Sequence, residues 1–128
     1  SPRELEERFI EFILKQQRKY KVYEAYCDSA ETTLIEGLRL AAAKRGVQID
    51  IRLAKKGRIT ERIRFFNRRM SMRRYLILRC CKNTIDALCS AVWDDRAVGD
   101  TRLDNGVLNV DSLDALEYAA EPYFADLG

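Results

Sequence analysis

Between Val22 and Leu53 the chain runs through an apolar stretch, a helical stripe, a glycine and a strictly alternating stretch. That order narrows the fold more than any other feature. Val22-Tyr23-Glu24-Ala25-Tyr26-Cys27 is apolar and β-rich, and predicts a strand over 21–27. Leu34, Ile35, Leu38 and Ala42 recur at helical spacing, so a helix is expected from about 30 to 45, stopped by Gly46. Val47, Ile49, Ile51 and Leu53 alternate with polar residues and predict a second strand, 47–53, with one buried face. A strand, a helix and a strand in so short a span make an α/β fold with at least partly parallel pairing.

The flanking segments extend that pattern. Ser1-Pro2-Arg3-Glu4 reads as a capping box with proline in the first helical position. Leu5, Phe9, Phe12 and Ile13 then predict an amphipathic helix over 2–19. Ile59, Ile63, Phe66 and Met70 mark a third helix with an arginine-rich outer face, and Tyr75-Leu76-Ile77-Leu78 a short strand. Ile85, Leu88, Cys89 and Val92 mark a fourth helix ending near Asp94. After a loop over 97–109, a last helix runs from about 111 to 124 with Leu113, Leu116, Ala120 and Tyr123 inward.

With 128 residues the chain is expected to form a single domain, 1–128. A composition of 47% hydrophobic and 34% charged residues fits a soluble globular protein. No apolar run approaches the roughly 20 residues of a membrane span, and no leader pattern is present; a cytoplasmic location is expected from the cysteines, which read as reduced thiols. The four cysteines (Cys27, Cys80, Cys81, Cys89) lack CxxC spacing and the chain has no histidine. A structural zinc site and histidine-based triads are thereby disfavoured, and the cysteines read as reduced core thiols.

The net charge of +3 conceals an asymmetry. From Arg52 to Arg79 eleven Lys/Arg face a single acid, Glu61; from Asp86 onward ten acids face two arginines. The two halves can attract each other, or can divide phosphate and metal binding between them. Asp28, at the carboxyl end of the first strand, stands where α/β sheets usually hold ligands and metals. It equally suits the N-cap of the helix that follows. Asp111 and Asp114, three residues apart, share one face of the last helix. Asp111 also suits an N-cap, and Asp114 a solvated surface. Lys55 and Lys56, just after the second strand, are expected to contact phosphate. Arg58, Arg62, Arg69 and Arg73 would extend that track or merely solubilise their helix. Trp93 is read as core rather than as a base-stacking platform.

In this order the elements resemble the carboxyl-terminal nuclease domain of a phage terminase large subunit, a ribonuclease-H-like fold. Four stretches carry the resemblance: Tyr26-Cys27-Asp28-Ser29-Ala30-Glu31; Ala54-Lys55-Lys56-Gly57-Arg58-Ile59-Thr60-Glu61-Arg62-Ile63; Cys81-Lys82-Asn83-Thr84-Ile85-Asp86 with Val92-Trp93-Asp94; and Asp111-Ser112-Leu113-Asp114-Ala115-Leu116-Glu117-Tyr118. They are similar to the family's DSAE, A-K-x-x-x-I-x-x-G-I, C-x-N-x-I-x-E … Y-x-W-D and H-x-x-D-A-L-R-Y segments. Three positions depart from the pattern. Asp111 stands where the family commonly has histidine, Arg62 where it has glycine, and Asp86 where it has glutamate.

The resemblance implies a mixed or parallel sheet flanked by helices and cleavage of concatemeric viral DNA by two Mg²⁺ or Mn²⁺ ions. Asp28 and Asp114 would be metal ligands, and Asp111 a ligand or a water-orienting group. Glu31 and Glu117 would stand behind them or on plain surface. Lys55, Lys56, Arg58 and Arg62 would contact DNA. The family's first catalytic aspartate lies upstream of Ser1, so an amino-terminally truncated domain is expected, without its first strand. The partners implied are double-stranded DNA, the terminase ATPase domain, the small subunit and the portal, in a host cell. The uncovered strand 22–27 is expected either to pair with a second copy in a homodimer or to be covered by the chain's own amino-terminal helix. The alternatives are a ribonuclease-H-like resolvase or other metal nuclease, and a non-catalytic nucleic-acid-binding domain of the same fold.

Overall fold

The amino-terminal helix α1, Pro2–Gln17, starts as its first four residues dictate. The Glu4 N–H donates to Ser1 Oγ at 3.3 Å while the Glu4 carboxylate reaches back to the Ser1 amino group. This computed structural model describes residues 1–28 and 30–127. They divide into two compact units, Ser1–Ala54 and Lys55–Gly128.

In the first unit, strand β1 (Glu24–Cys27), helix α2 (Thr32–Arg45) and strand β2 (Asp50–Leu53) form the expected strand–helix–strand unit. The strands pair in parallel, with Glu24 opposite Asp50 and Cys27 opposite Leu53. The chain is therefore a mixed α/β protein, and its described sheet has these two strands. Gly46 ends α2 in the left-handed region, at φ 65°, where an L side chain would be strained. Its N–H and that of Val47 close on the Ala43 and Ala42 carbonyls.

Ile10, Ile35, Leu38, Ala42 and Ile51 make the core of this unit. Each fully buried aliphatic side chain contributes about 1.5–3 kcal/mol. From α1, Ile10 belongs to this core and Phe9 and Leu14 pack against it; Ile13 is buried as well. Leu5 and Phe12, which the amphipathic pattern places inward, are 45% and 59% exposed. Short helices with two apolar stripes leave the choice of stripe to the partner surface. Gln17 Nε2 ties the end of α1 to the Val22 and Gln48 carbonyls, each at 2.8 Å. The Arg39 guanidinium covers the Ile51 carbonyl of β2, from Nε at 2.9 Å and Nη2 at 2.7 Å.

The second unit is helical: α3 (Ile59–Ser71), α4 (Lys82–Ser90), α5 (Val110–Ala120), a 3-10 turn (Glu121–Tyr123) and the short α6 (Phe124–Leu127). Pro122 sits in the turn, where its missing N–H ends the α-helical ladder of α5. Phe66, Ala87, Val110, Leu113 and Tyr118 are buried. Phe65 stacks on Phe124 at 4.1 Å, and Phe66 meets Tyr75 edge-on at 5.0 Å.

The strand expected at Tyr75–Leu78 is not formed. Leu76 and Leu78 are 85% and 68% exposed, and no described segment pairs with them. β-propensity marks a segment able to be a strand; a partner backbone decides whether it becomes one. The fourth helix also stops at Ser90 rather than near Asp94, because residues 92–94 pair in antiparallel fashion with 101–103 through a bridge between Trp93 and Arg102. No helix among the described residues is long and apolar enough to cross a membrane.

Candidate functional site

Asp28 follows β1 directly and is exposed. The Ala54 N–H donates to the Cys27 carbonyl at 2.7 Å, which sets the carboxyl ends of the two strands level with each other. Asp28 Oδ1 accepts from the Ala30 N–H at 3.0 Å, and its carbonyl from Glu31 at 3.3 Å. This is a turn built by an aspartate on its own backbone. The N-cap position of α2 is Glu31, whose side chain makes no capping bond. Asp28 thus shapes the strand-to-helix corner without capping the helix. Lys55 and Lys56 continue the chain beyond Ala54 and are exposed; Arg58 occupies the N-cap position of α3, also exposed.

The acidic face of α5 is built differently from what its composition predicts. Asp111 lies in the first turn, exposed, where the helix dipole favours a carboxylate. It is not the N-cap; that position is Asn109, whose Nδ2 donates to Asp86 at 2.6 Å. Asp114, one turn on, is half-buried and accepts from Arg102 Nη1 at 3.0 Å. Burial pushes its carboxyl above the usual carboxylate range, with Arg102 pulling in the opposite direction.

Glu117, expected on the surface or behind the ligands, is among the most buried residues of the protein at 1% exposure. It accepts from both terminal nitrogens of Arg102, through Oε1 at 2.8 Å and through a second contact to Oε2, and from Arg62 Nη1 at 3.2 Å. Arg62 Nη2 donates to the Gly57 carbonyl at 3.0 Å, and the Gly57 N–H to Glu121 Oε1 at 2.6 Å. Arg62 Nε and Glu121 Oε2 are both buried without a hydrogen bond and face each other at 3.9 Å. Arg62 also lies over the Tyr118 ring at 5.6 Å.

Two guanidiniums and three carboxylates thus occupy one water-poor cluster, where mutual pairing is the condition for burying either sign. Arg62 therefore does not stand on an exposed basic track, contrary to the sequence expectation. Sequence reasoning misses Arg102, Glu117 and Glu121 as a group. The available signal is Asp114, Glu117 and Glu121 at helical spacing beside apolar Leu113, a carboxylate stripe running into a buried face.

Other expectations also change. Trp93 is 45% exposed instead of core. Cys80, Cys81 and Cys89 are exposed and free, and Cys27 is half-buried and free. Arg69 turns inward, donating to the Leu127 carbonyl and lying over Phe65. Among the described residues, no group of three or more His, Cys, Asp or Glu side chains converges to hold a metal ion. No protein-family model, curated protein or solved structure matches the chain.

Proposed function

We propose that the chain is part of a metal-dependent DNA endonuclease of the terminase large-subunit kind, on a ribonuclease-H-like sheet. The observation that carries this reading is Asp28, an exposed carboxylate at the level carboxyl ends of two parallel strands joined by a helix. Hard dications prefer oxygen donors, and Asp28 and Asp111 offer exposed carboxylates with no histidine required. Asp114 fits less freely, since Arg102 already engages its Oδ1. When bound, Mg²⁺ or Mn²⁺ supplies an activated water and stabilisation of the leaving oxygen. Lys55, Lys56 and Arg58, all exposed, hold duplex phosphates in this reading, with little regard to sequence. The ATPase domain, small subunit and portal would be its partners in a host cytoplasm.

Manganese titration followed by NMR tests the reading without requiring turnover. Amides near Asp28 and near Asp111–Asp114 should broaden selectively at millimolar Mn²⁺, and Asp28→Asn should abolish the first effect. Uniform broadening, or none, would refute the metal assignment. A non-catalytic nucleic-acid-binding role is the second reading. It is favoured by Arg64, Arg68, Arg73 and Arg74, which remain exposed on and just after α3. Duplex binding without selective manganese broadening would support it.

A further inference from the structure

We propose that the second unit carries a groove for single-stranded nucleic acid, with a base stacked on Trp93 and the flanking phosphates held by Arg64 and Arg68. Two clefts, of about 270 and 590 Å³, share Ile63, Asn67 and Trp93 in their walls. The first is lined by apolar Phe66, Leu88 and Val92, and the second is bordered by Arg64 and Arg68. An aromatic face beside an apolar floor, with guanidiniums one helical turn apart along the rim, matches the alternation of base and phosphate along a single strand. Arg64 keeps 74% of its side chain exposed despite its contact with Glu61, so it stays available to an anion. Asn67, between the two arginines in sequence, presents both donor and acceptor groups to a base edge.

The platform is held in place. Asp94 N–H donates to the Thr101 carbonyl at 2.7 Å and Leu103 N–H to the Val92 carbonyl at 2.9 Å, pinning the backbone on both sides of Trp93. Arg102, its bridge partner, is locked by Glu117 and Asp114. Glu117 also lines the first cleft, but its charge is matched by two guanidiniums and offers a phosphate little repulsion. A single strand fits better than a duplex, because a paired and stacked base cannot leave its neighbours to meet an indole set among cleft walls. This groove does not depend on any metal ligand, so it stands apart from the nuclease reading.

Trp93 is the only tryptophan, so its emission reports the site directly. The test compares an oligothymidylate of about twelve nucleotides with an abasic strand of equal length and a duplex, by anisotropy and by Trp93 quenching. The oligothymidylate should quench Trp93 and bind more tightly than the abasic strand. Trp93→Ala should weaken it about five- to hundredfold, and Trp93→Phe should restore much of the loss. Arg64→Ala with Arg68→Ala should flatten the salt slope by about 1.4. Equal binding of the abasic strand overturns the proposal. So does oligothymidylate binding without quenching, or a duplex that binds more tightly while Trp93 emission stays unchanged. Should Trp93→Ala fail to fold, quenching of the parent chain and the Phe variant decide the matter.

Discussion

Glu117→Gln is the change that should disturb this protein most for the fewest atoms altered. The carboxylate is 1% exposed and answers Arg102 through both oxygens and Arg62 through one. Gln keeps the shape and one acceptor but replaces the other oxygen with a donor facing a guanidinium. The cluster then holds two buried cations against Asp114, itself half-buried, and Glu121, 3.9 Å from Arg62. Removing one partner from a buried ion pair costs about 3–5 kcal/mol. At roughly 0.05–0.15 kcal/mol per residue, a unit from Lys55 to Gly128 holds about 4–11 kcal/mol in total. Most of its stability should therefore disappear. Urea unfolding followed by Trp93 emission reads this unit, since the only tryptophan lies within it. The double variant Glu117→Leu with Arg102→Met should recover part of the loss, as apolar replacement of a buried pair is often neutral. A Glu117→Gln midpoint shift worth less than about 1 kcal/mol would refute the account of a closed, water-poor pair.

Three further outcomes are expected. Gly46→Ala meets no atom within 4 Å, so its cost should be the strain of φ 65° alone, about 1 kcal/mol, read as a lower urea midpoint of the first unit by circular dichroism. Alkylation at neutral pH, followed by mass mapping, should modify exposed Cys80 and Cys89 well before Cys27, whose thiol burial also pushes up; Cys27 reacting first would contradict its placement. Burial likewise holds the Tyr75 hydroxyl above its ordinary range. The folded state thus favours the neutral phenol, and that contribution is complete below about pH 10 and lost as pH rises through the folded value. Ultraviolet titration should find Tyr75 ionising above the ordinary tyrosine range, and ionisation at about pH 10 would count against its packing on Phe66.

The features legible in the residues alone are local ones. The Ser1–Glu4 capping box, the Gly46 stop and the alternation ending at Leu53 each depend on residues within a few positions of one another. Their energetics are present in any chain segment of that sequence; the capping box and the glycine stop appear as expected, whereas the second strand forms only over Asp50–Leu53, with Ile51 buried and Leu53 exposed. Parallel pairing of β1 and β2 follows from the helix between them, because a connection of that length returns the chain in the same direction. Asp28 at the strand end is legible for the same reason.

The rest is decided by neighbours distant in sequence. Arg62 and Glu117 are 55 residues apart, and Arg102 and Glu117 are 15. Taken singly, each is a charged side chain that belongs in water, and only their meeting makes burial tolerable. Trp93 carries the reverse lesson, since its size argues for core while the backbone pairing with Arg102 leaves it at a cleft. Tyr75–Leu78 has the residues of a strand but no described backbone to pair with. Local propensity sets what each segment is able to become; complementary surfaces brought together by folding set which possibility is realised.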